Sequence, residues 1–453
     1  MARTRIQYVC QQCGRAAAKP LGRCPQCGAW NSMVSEAAPS ARPAAGRRSG
    51  QAPVRLTELQ GDDDPRYPLS IEEFARVLGG GVVPGSLVLV GGDPGIGKST
   101  LLLQMALVMA SGGPVLYVSG EESVRQIQTR ARRLPGGSAA PDDLYLLTET
   151  DLDAILGQVQ ALQPRIVVID SIQTVQVPEL ESGAGSISQV REAALRLQAQ
   201  AKSSEAAVFV VGHVTKDGAI AGPKVLEHIV DTVLYLEGDP LHAFRLLRAV
   251  KNRFGPTTEV GVFSMGEAGM VEVPNPSEAF LAERVLQAPG SAVAVTMEGT
   301  RPLLVEIQGL TSPTAFGNPR RTANGVDFNR LLLTLAVLTR RVGLRLGDQD
   351  VFVNVVGGLR IEEPAADLAV AAAVASSLQD KPLPADLAFV GEVGLTGEVR
   401  SVAQLPTRLR EAAKLGFRRV VVPKSLHTES GPAGLEVLPV RFVREALDRA
   451  LKG

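Results

Sequence analysis

Short apolar runs alternate with longer amphipathic stretches through most of this 453-residue chain, the pattern of strands and helices built around a mainly parallel sheet. Residues 86–110 (SLVLVGGDPGIGKSTLLLQMALVMA) read as a strand, a glycine-rich turn and a helix. The runs at 114–119 (PVLYVS), 165–170 (RIVVID) and 207–212 (AVFVVG) are apolar throughout, as in strands covered on both faces. A β-rich stretch, FRLLRAVKNRFG, follows. From about residue 284 the pattern changes. Strands are expected at 291–296, 303–308, 351–356, 387–390 and 419–422, with an amphipathic helix at 325–341, an Ala-rich helix at 365–377 and a further helix at 404–415. The fold class is therefore α/β, with a separate α+β region at the carboxyl end.

The length is that of two or three domains. Hydrophobic residues make up 45% and charged residues 21%, a globular composition that argues against disorder or a coiled coil. No apolar run approaches the ~20 residues of a membrane span. The start, MARTRIQYVC, lacks the apolar core of a signal peptide. A cytoplasmic protein without a membrane partner is expected. The formal net charge of zero conceals an asymmetry: residues 1–55 carry +8, residues 56–283 carry −12 and residues 284–453 carry +4. Contacts with a polyanion would then begin at the ends or in local loops.

All four cysteines lie within one short segment, as Cys10-x2-Cys13-x10-Cys24-x2-Cys27. Each CxxC forms a tight turn that directs two thiolates to one point, and two such turns make a tetrahedral site suited to Zn²⁺. Gly14 and Gly28 follow the two turns and supply the positive φ such turns use. Disulfides are the alternative, disfavoured inside a cell. A segment this short buries no core of its own, so the metal would hold it folded. Trp30 is expected to pack against the turns. Residues 35–55 begin SEAAPSARPAAGRRSGQAP, a composition without apolar period, and read as a flexible linker between the 1–34 zinc module and an ATPase domain at 56–283.

Gly92-Asp93-Pro94-Gly95-Ile96-Gly97-Lys98-Ser99-Thr100 matches G-x-x-x-x-G-K-[ST] in strand–loop–helix context. Glycines there let backbone N–H groups surround phosphates at a helix start, so ATP is the expected ligand. Lys98 would reach the β/γ-phosphates, and the Ser99 hydroxyl would hold Mg²⁺. Asp170, closing the 165–170 run, is the expected second Mg²⁺ residue. Glu121 and Glu122 follow the 114–119 run, in the crevice where open α/β sheets bind ligands. Glu121, first after the strand, is the candidate to polarise the attacking water. His213, after the 207–212 run, is a candidate phosphate sensor. Two loops leave the same edge, at 173–188 and 215–224. Both are expected to pack loosely and are candidates to touch a nucleic acid. Lys216 and Lys224 support the second, whereas acidic residues weaken the first.

Lys251-Asn252-Arg253-Phe254-Gly255 completes the order four-cysteine module, GDPGIGKST, VVIDSIQT, GHVTK and KNRFG, which resembles the bacterial RadA (Sms) family over essentially the whole chain. The resemblance implies a RecA-like, DNA-dependent repair ATPase that forms hexameric rings and binds single-stranded and branched DNA. It further implies a DnaB-like helicase role in branch migration of recombination intermediates, with RecA recombinase as a partner. Lys251 and Arg253 would reach a neighbouring subunit's γ-phosphate as an arginine finger does. An internal salt bridge at the strand end is the alternative for that motif. Residues 284–453 resemble the proteolytic domain of Lon. Ala365 stands where that family has its nucleophilic serine, and the partner lysine falls near Pro406, with Arg408 the nearest basic residue. Alanine offers no nucleophile and arginine stays protonated, so no peptidase is expected. That leaves assembly or DNA contact, with Arg320, Arg321, Arg340, Arg341 and Arg345 as candidates. The alternative for the whole chain is a RecA-like ATP switch or loading scaffold of the KaiC type, without translocation.

Overall fold

The computed structural model describes residues 6–10, 15–26, 28–30, 32–37, 66–213, 225–238, 244–315, 317–424 and 431–451. The chain divides into two compact units, Met1–Glu237 with Arg245–Glu272 and Gly238–Phe244 with Val273–Gly453.

In the first unit, β1 (Ile6–Cys10), β2 (Ala16–Ala17) and β3 (Met33–Ala37) form a small antiparallel sheet in the order β2-β1-β3. The ATPase region follows as α1 (Glu72–Leu78), β4 (Leu87–Gly92), α2 (Lys98–Met109), β5 (Val115–Ser119), α3 (Val124–Ala131), β6 (Leu144–Thr148), α4 (Leu152–Leu162) and β7 (Ile166–Asp170). It continues with α5 (Ile187–Ser204), β8 (Ala207–His213), β9 (Thr232–Glu237), β10 (Phe244–Asn252), β11 (Val260–Gly266) and β12 (Gly269–Glu272). These strands join one sheet in the order β12-β11-β10-β9-β4-β8-β7-β5-β6. From β9 to β6 every pairing is parallel, and β10 runs antiparallel to β9.

Apolar strands follow from this layering. Val88 and Val90 of β4 face a core containing α1, α2 and Ile127 of α3, while Leu87 and Leu89 face one containing α4 and α5. Successive side chains point to opposite faces, so a strand covered on both sides needs an apolar residue at every position. The same alternation puts Val168, and therefore Asp170 two residues later, on the α2 side of the sheet. Ser123 opens α3 with a reciprocal capping box to Gln126, and Asp151 and Ser186 cap α4 and α5.

The second unit contains α6 (Pro276–Leu281), β13 (Ser291–Glu298), β14 (Arg301–Pro313), β15 (Arg321–Asn324), α7 (Phe328–Val337), β16 (Gln349–Val355), α8 (Asp367–Gln379) and β17 (Leu387–Phe389). After these come β18 (Glu392–Val393), β19 (Val399–Arg400), α9 (Leu405–Lys414), β20 (Arg419–Pro423), β21 (Glu436–Val440) and α10 (Val443–Leu451). Its main sheet has the order β15-β16-β14-β13-β17-β20-β21, and β18 pairs with β19 as a separate ribbon. α6, which a boundary at 283/284 assigns to the ATPase domain, packs here, with the Leu304 amide donating to Ser277 Oγ at 3.0 Å. The helix expected at 325–341 begins only at Phe328, because Asp327 caps it by accepting the Arg330 amide at 2.8 Å. It ends in a π turn over Leu338–Val342 that Gly343 closes. Among the described residues, no helix is long and apolar enough to cross a membrane.

Candidate active site

The phosphate loop leaves β4 and enters α2 at Lys98. Gly92 holds φ +146°, and a Cβ there would lie 2.4 Å from the Leu236 carbonyl oxygen, so only glycine fits. Gly97 (φ +115°) is the N-cap, and no side chain caps α2, which leaves its first N–H groups available to an anion. Asp93, Pro94 and Gly95 are exposed, whereas Ile96 is buried and anchors the loop in the core. Lys98 is almost fully buried and donates from Nζ to the carbonyls of Gly92 and Asp93, both at 2.9 Å. Burial lowers its pKa, opposed by Asp170, Asp93 and Glu121. Ser99 and Thr100 stand half-buried in the first turn of α2.

Asp170 sits at the carboxyl end of β7, level with Ser119 of β5. The hydroxyl of the buried Tyr117 donates to its Oδ2 at 2.6 Å. Glu121 and Glu122, adjacent in sequence, separate in space. Glu122 is bound by Arg130 (Nη1 to Oε1 at 2.9 Å, Nη2 to Oε2 at 2.8 Å). Glu121, half-exposed, accepts from Ser171 Oγ at 3.1 Å and lies 3.9 Å from His213 Nε2. Burial and then Lys98 push the His213 pKa down, against Glu121 and Asp170, so its imidazole is neutral at pH 7. Lys98, Asp170, Glu121 and His213 thus gather at one edge, as the chain order implies. The donor set fits Mg²⁺: Asp170, a carboxylate with one oxygen already bound, interacts electrostatically with Lys98, and Ser99 follows Lys98 in the first turn of α2.

Sequence reading missed Tyr117, Arg130 and Arg245. Arg245 is buried at the start of β10 and donates from Nε to the Ile96 carbonyl at 3.3 Å, a cation under the phosphate loop. A charged residue inside an apolar run, like Arg245 in FRLLRAV, is the signal that could have found it. Tyr117 carries no such signal in PVLYVS.

The 173–188 loop does not pack loosely. Buried Gln189 of α5 accepts the Val177 amide at 2.7 Å and donates to the carbonyls of Leu180 (3.2 Å) and Ser182 (2.8 Å), while Val175 and Val177 are buried. With a further bond to the Val177 carbonyl at 3.3 Å, this buried amide has four backbone contacts and holds a loop that composition alone marks as free. Lys216 and Lys224 of the second loop lie outside the described residues.

KNRFG lies away from this edge. Lys251 pairs with Val233 and Asn252 with Thr232, at the level of Leu89 and Val88, whereas the phosphate loop starts opposite Leu236. Because β10 runs antiparallel to β9, residues 253–255 continue past the amino end of β4. Lys251 Nζ donates to the carbonyls of Glu227 (2.6 Å) and Val230 (2.8 Å). Arg253 pairs with Asp231 at 2.9 Å and remains half-exposed. Asn252 Oδ1 accepts the Phe254 amide at 3.0 Å, and Arg66 donates to the Phe254 carbonyl at 2.5 Å. Gly255 lies against Gly79.

In the amino-terminal sheet, Cys10 and Cys24 are both buried. Their amides make equivalent bonds, Cys10 to the Arg15 carbonyl at 2.9 Å and Cys24 to the Ala29 carbonyl at 2.8 Å, so the two turns repeat one geometry. Gly28 has φ +76°, as such a turn requires. Two buried thiols in equivalent turns fit zinc. Cys13, Cys27 and Gly14 lie outside the described residues. Trp30 does not pack inside: it is 72% exposed, with the Arg23 guanidinium 5.7 Å above its ring.

In the second unit, Ala365 is buried in the turn before α8. Arg408 is fully buried and binds both oxygens of Glu363, the Val295 carbonyl at 2.7 Å and the Ala403 carbonyl at 2.9 Å. A guanidinium–carboxylate pair stands two residues from the position of the missing nucleophile. Ala365 carries no hydroxyl to activate, Arg408 stays protonated, and the Glu363 carboxylate is taken up by Arg408. Of the arginines considered for assembly or DNA contact, Arg321 binds the backbone of its own unit at Leu346 (2.8 Å), and Arg341 Nε donates to the Leu395 carbonyl at 3.4 Å.

These features define a class: a P-loop ATPase with a zinc ribbon, a RecA-like core and a Lon-like carboxyl-terminal domain. Three family descriptions match the chain, a rubredoxin metal binding domain at 8–35, an AAA domain at 55–219 and subunit ChlI of Mg-chelatase at 330–425. The DNA repair protein RadA of Bacillus subtilis (strain 168) is 53% identical over the full length of both chains. That of Listeria monocytogenes EGD-e is 51% identical over 99% of each. A KaiC-like protein from Pyrococcus horikoshii OT3 aligns at 21% identity and TM-score 0.40, covering 47% of this chain and all of that one. The chain belongs to the RadA family.

Proposed function

We propose that this protein is a DNA-dependent ATP hydrolase of recombinational DNA repair, a ring-forming, DnaB-like helicase that moves on single-stranded DNA and drives branch migration. The position of KNRFG carries this reading. The motif lies at the end of the strands opposite its own phosphate loop, so a cation from it can meet a γ-phosphate only across a contact between subunits. Such a head-to-tail contact repeats into a ring or a filament, and the ring, hexameric in the family this chain resembles, is the form in this proposal. RecA recombinase and branched DNA are the partners that follow, in the cytoplasm.

At the site, Lys98 exchanges the Gly92 and Asp93 carbonyls for the β/γ-phosphates, and the open amides of α2 bind the phosphate oxygens. Asp170 and Ser99 hold Mg²⁺, which supplies charge neutralisation at the phosphates. Glu121, oriented by Ser171, accepts the proton of the attacking water, and neutral His213 beside it registers whether the γ-phosphate is present. The zinc ribbon, with Cys10, Cys13, Cys24 and Cys27 as ligands, is a tethered contact module. A strand-displacement assay on a forked duplex tests the proposal. ATP-dependent release of the strand is expected. Hydrolysis without release would favour a RecA-like switch or loading scaffold.

A further inference from the structure

Behind the carboxylates of Asp170 and Glu122 stand two side chains that no sequence motif marks, Tyr117 and Arg130. Tyr117 and Val168 are opposite one another on parallel strands, and Asp170 is the next residue of β7 on the same face. The Tyr117 ring is fully buried in the core, and its hydroxyl reaches Asp170 Oδ2 at 2.6 Å. Arg130, from the last turn of α3, donates to that hydroxyl at 3.4 Å and to Glu122 Oε1 at 2.9 Å, with its Nη2 in ion-pair contact with Oε2 at 2.8 Å. The hydroxyl is the donor in this bond to Asp170, because the Asp170 carboxylate can only accept.

From this geometry we infer that Tyr117 and Arg130 are positioning residues of the hydrolytic site, Tyr117 setting the metal-binding carboxylate and Arg130 keeping Glu122 away from the water that Glu121 serves. The inference rests on the reading of Asp170 and Glu121 given above. A carboxylate that binds a cation through one oxygen needs the other held, or its rotation disperses the ligand; outer partners of this kind are worth about 10-fold or more in metal affinity or activity. Glu121 and Glu122 leave the same strand end, and either could swing to the nucleotide. The hydrogen bond and ion pair to Arg130 remove Glu122 from that choice and fix the path of the backbone through Glu121.

The two side chains therefore have separable signatures. Tyr117→Phe keeps the ring and loses the hydroxyl. We expect it to bind a fluorescent ATP analogue normally in EDTA, while the Mg²⁺ concentration at half-maximal tightening of that binding rises about 10-fold. Mn²⁺ titration followed by electron paramagnetic resonance, with a non-hydrolysable analogue bound, should show the same shift. Arg130→Met should leave the Mg²⁺ midpoint unchanged and lower turnover about 10-fold or more at saturating ATP. A structural role alone would lower the melting temperature of both variants and shift neither quantity. A Tyr117→Phe chain with a wild-type Mg²⁺ midpoint overturns the inference. If that chain does not fold, Arg130→Met decides, and wild-type turnover in it overturns the inference. Lys98→Ala run in parallel separates the levels: an active Lys98→Ala protein removes the hydrolytic reading itself, whereas an inactive one leaves any failure to this inference.

Discussion

Mixing two inactive variants tests whether KNRFG serves its own nucleotide or a neighbour's. Lys251 stands beside Val233, at the level of Leu89, and Gly92 lies three residues further along β4 and two strands away. At about 3.3 Å per residue and about 4.8 Å per strand, the two Cα atoms are some 14 Å apart, with Arg253 further still. Lys251 is also held by two carbonyls of its own chain, at 2.6 and 2.8 Å. Lys251→Ala should therefore retain ATP binding and lose about 10³-fold in hydrolysis, the scale of a finger supplied in trans. Losing two partly exposed charged hydrogen bonds should cost only about 1–2 kcal/mol of stability. Combined one to one with Lys98→Ala, random rings place an intact phosphate loop against an intact finger at about a quarter of the head-to-tail contacts that closure requires. Hydrolysis should recover toward about that fraction of wild type, measured by phosphate release after co-assembly is verified by cross-linking. Confirmed mixed rings with no recovery would refute the trans assignment and return Arg253 and Asp231 to a purely internal bond.

Protein purified under reducing conditions should contain about one Zn²⁺ per chain, and Cys24→Ala should abolish it while the ATPase region melts as before; elemental analysis and calorimetry read both. Arg408→Met should destabilise the second unit by about 3 kcal/mol, lowering its melting transition by roughly 6–10 °C, because it strands Glu363, and no casein cleavage should appear in either protein. His213 resists protonation in the folded chain, so the unfolded chain binds more protons below about pH 6.5 and stability falls as pH drops through that value. Wild type should accordingly lose more melting temperature than His213→Asn between about pH 7.5 and 5.5, and equal losses would refute this.

The strands of the ATPase sheet and the phosphate loop were legible because burial on both faces and the turn chemistry at Gly92 and Gly97 leave little choice of residue. The separation of Glu121 from Glu122 was only half legible. Position after the strand favours Glu121, but the reason is Arg130, eight residues beyond Glu122 and brought back by one helix turn after another. Trp30 misled, because an aromatic beside knuckle cysteines suggests packing, whereas this ring lies on the surface against Arg23. The 173–188 loop misled in the opposite sense: its glycines and polar residues read as loosely packed, yet Gln189, a residue of the following helix, binds it. The location of KNRFG away from its own phosphate loop needed the strand order, which no local pattern records.

The central claim is that this fold couples ATP hydrolysis to DNA. The rate of phosphate release from the purified wild-type chain, measured with and without single-stranded DNA beside Lys98→Ala, tests it most directly. Severalfold stimulation of the wild type is expected, weakening as salt rises because basic contacts on DNA release counterions, with no hydrolysis by Lys98→Ala under either condition. A wild-type rate indifferent to DNA, or turnover by a folded Lys98→Ala chain, would contradict it.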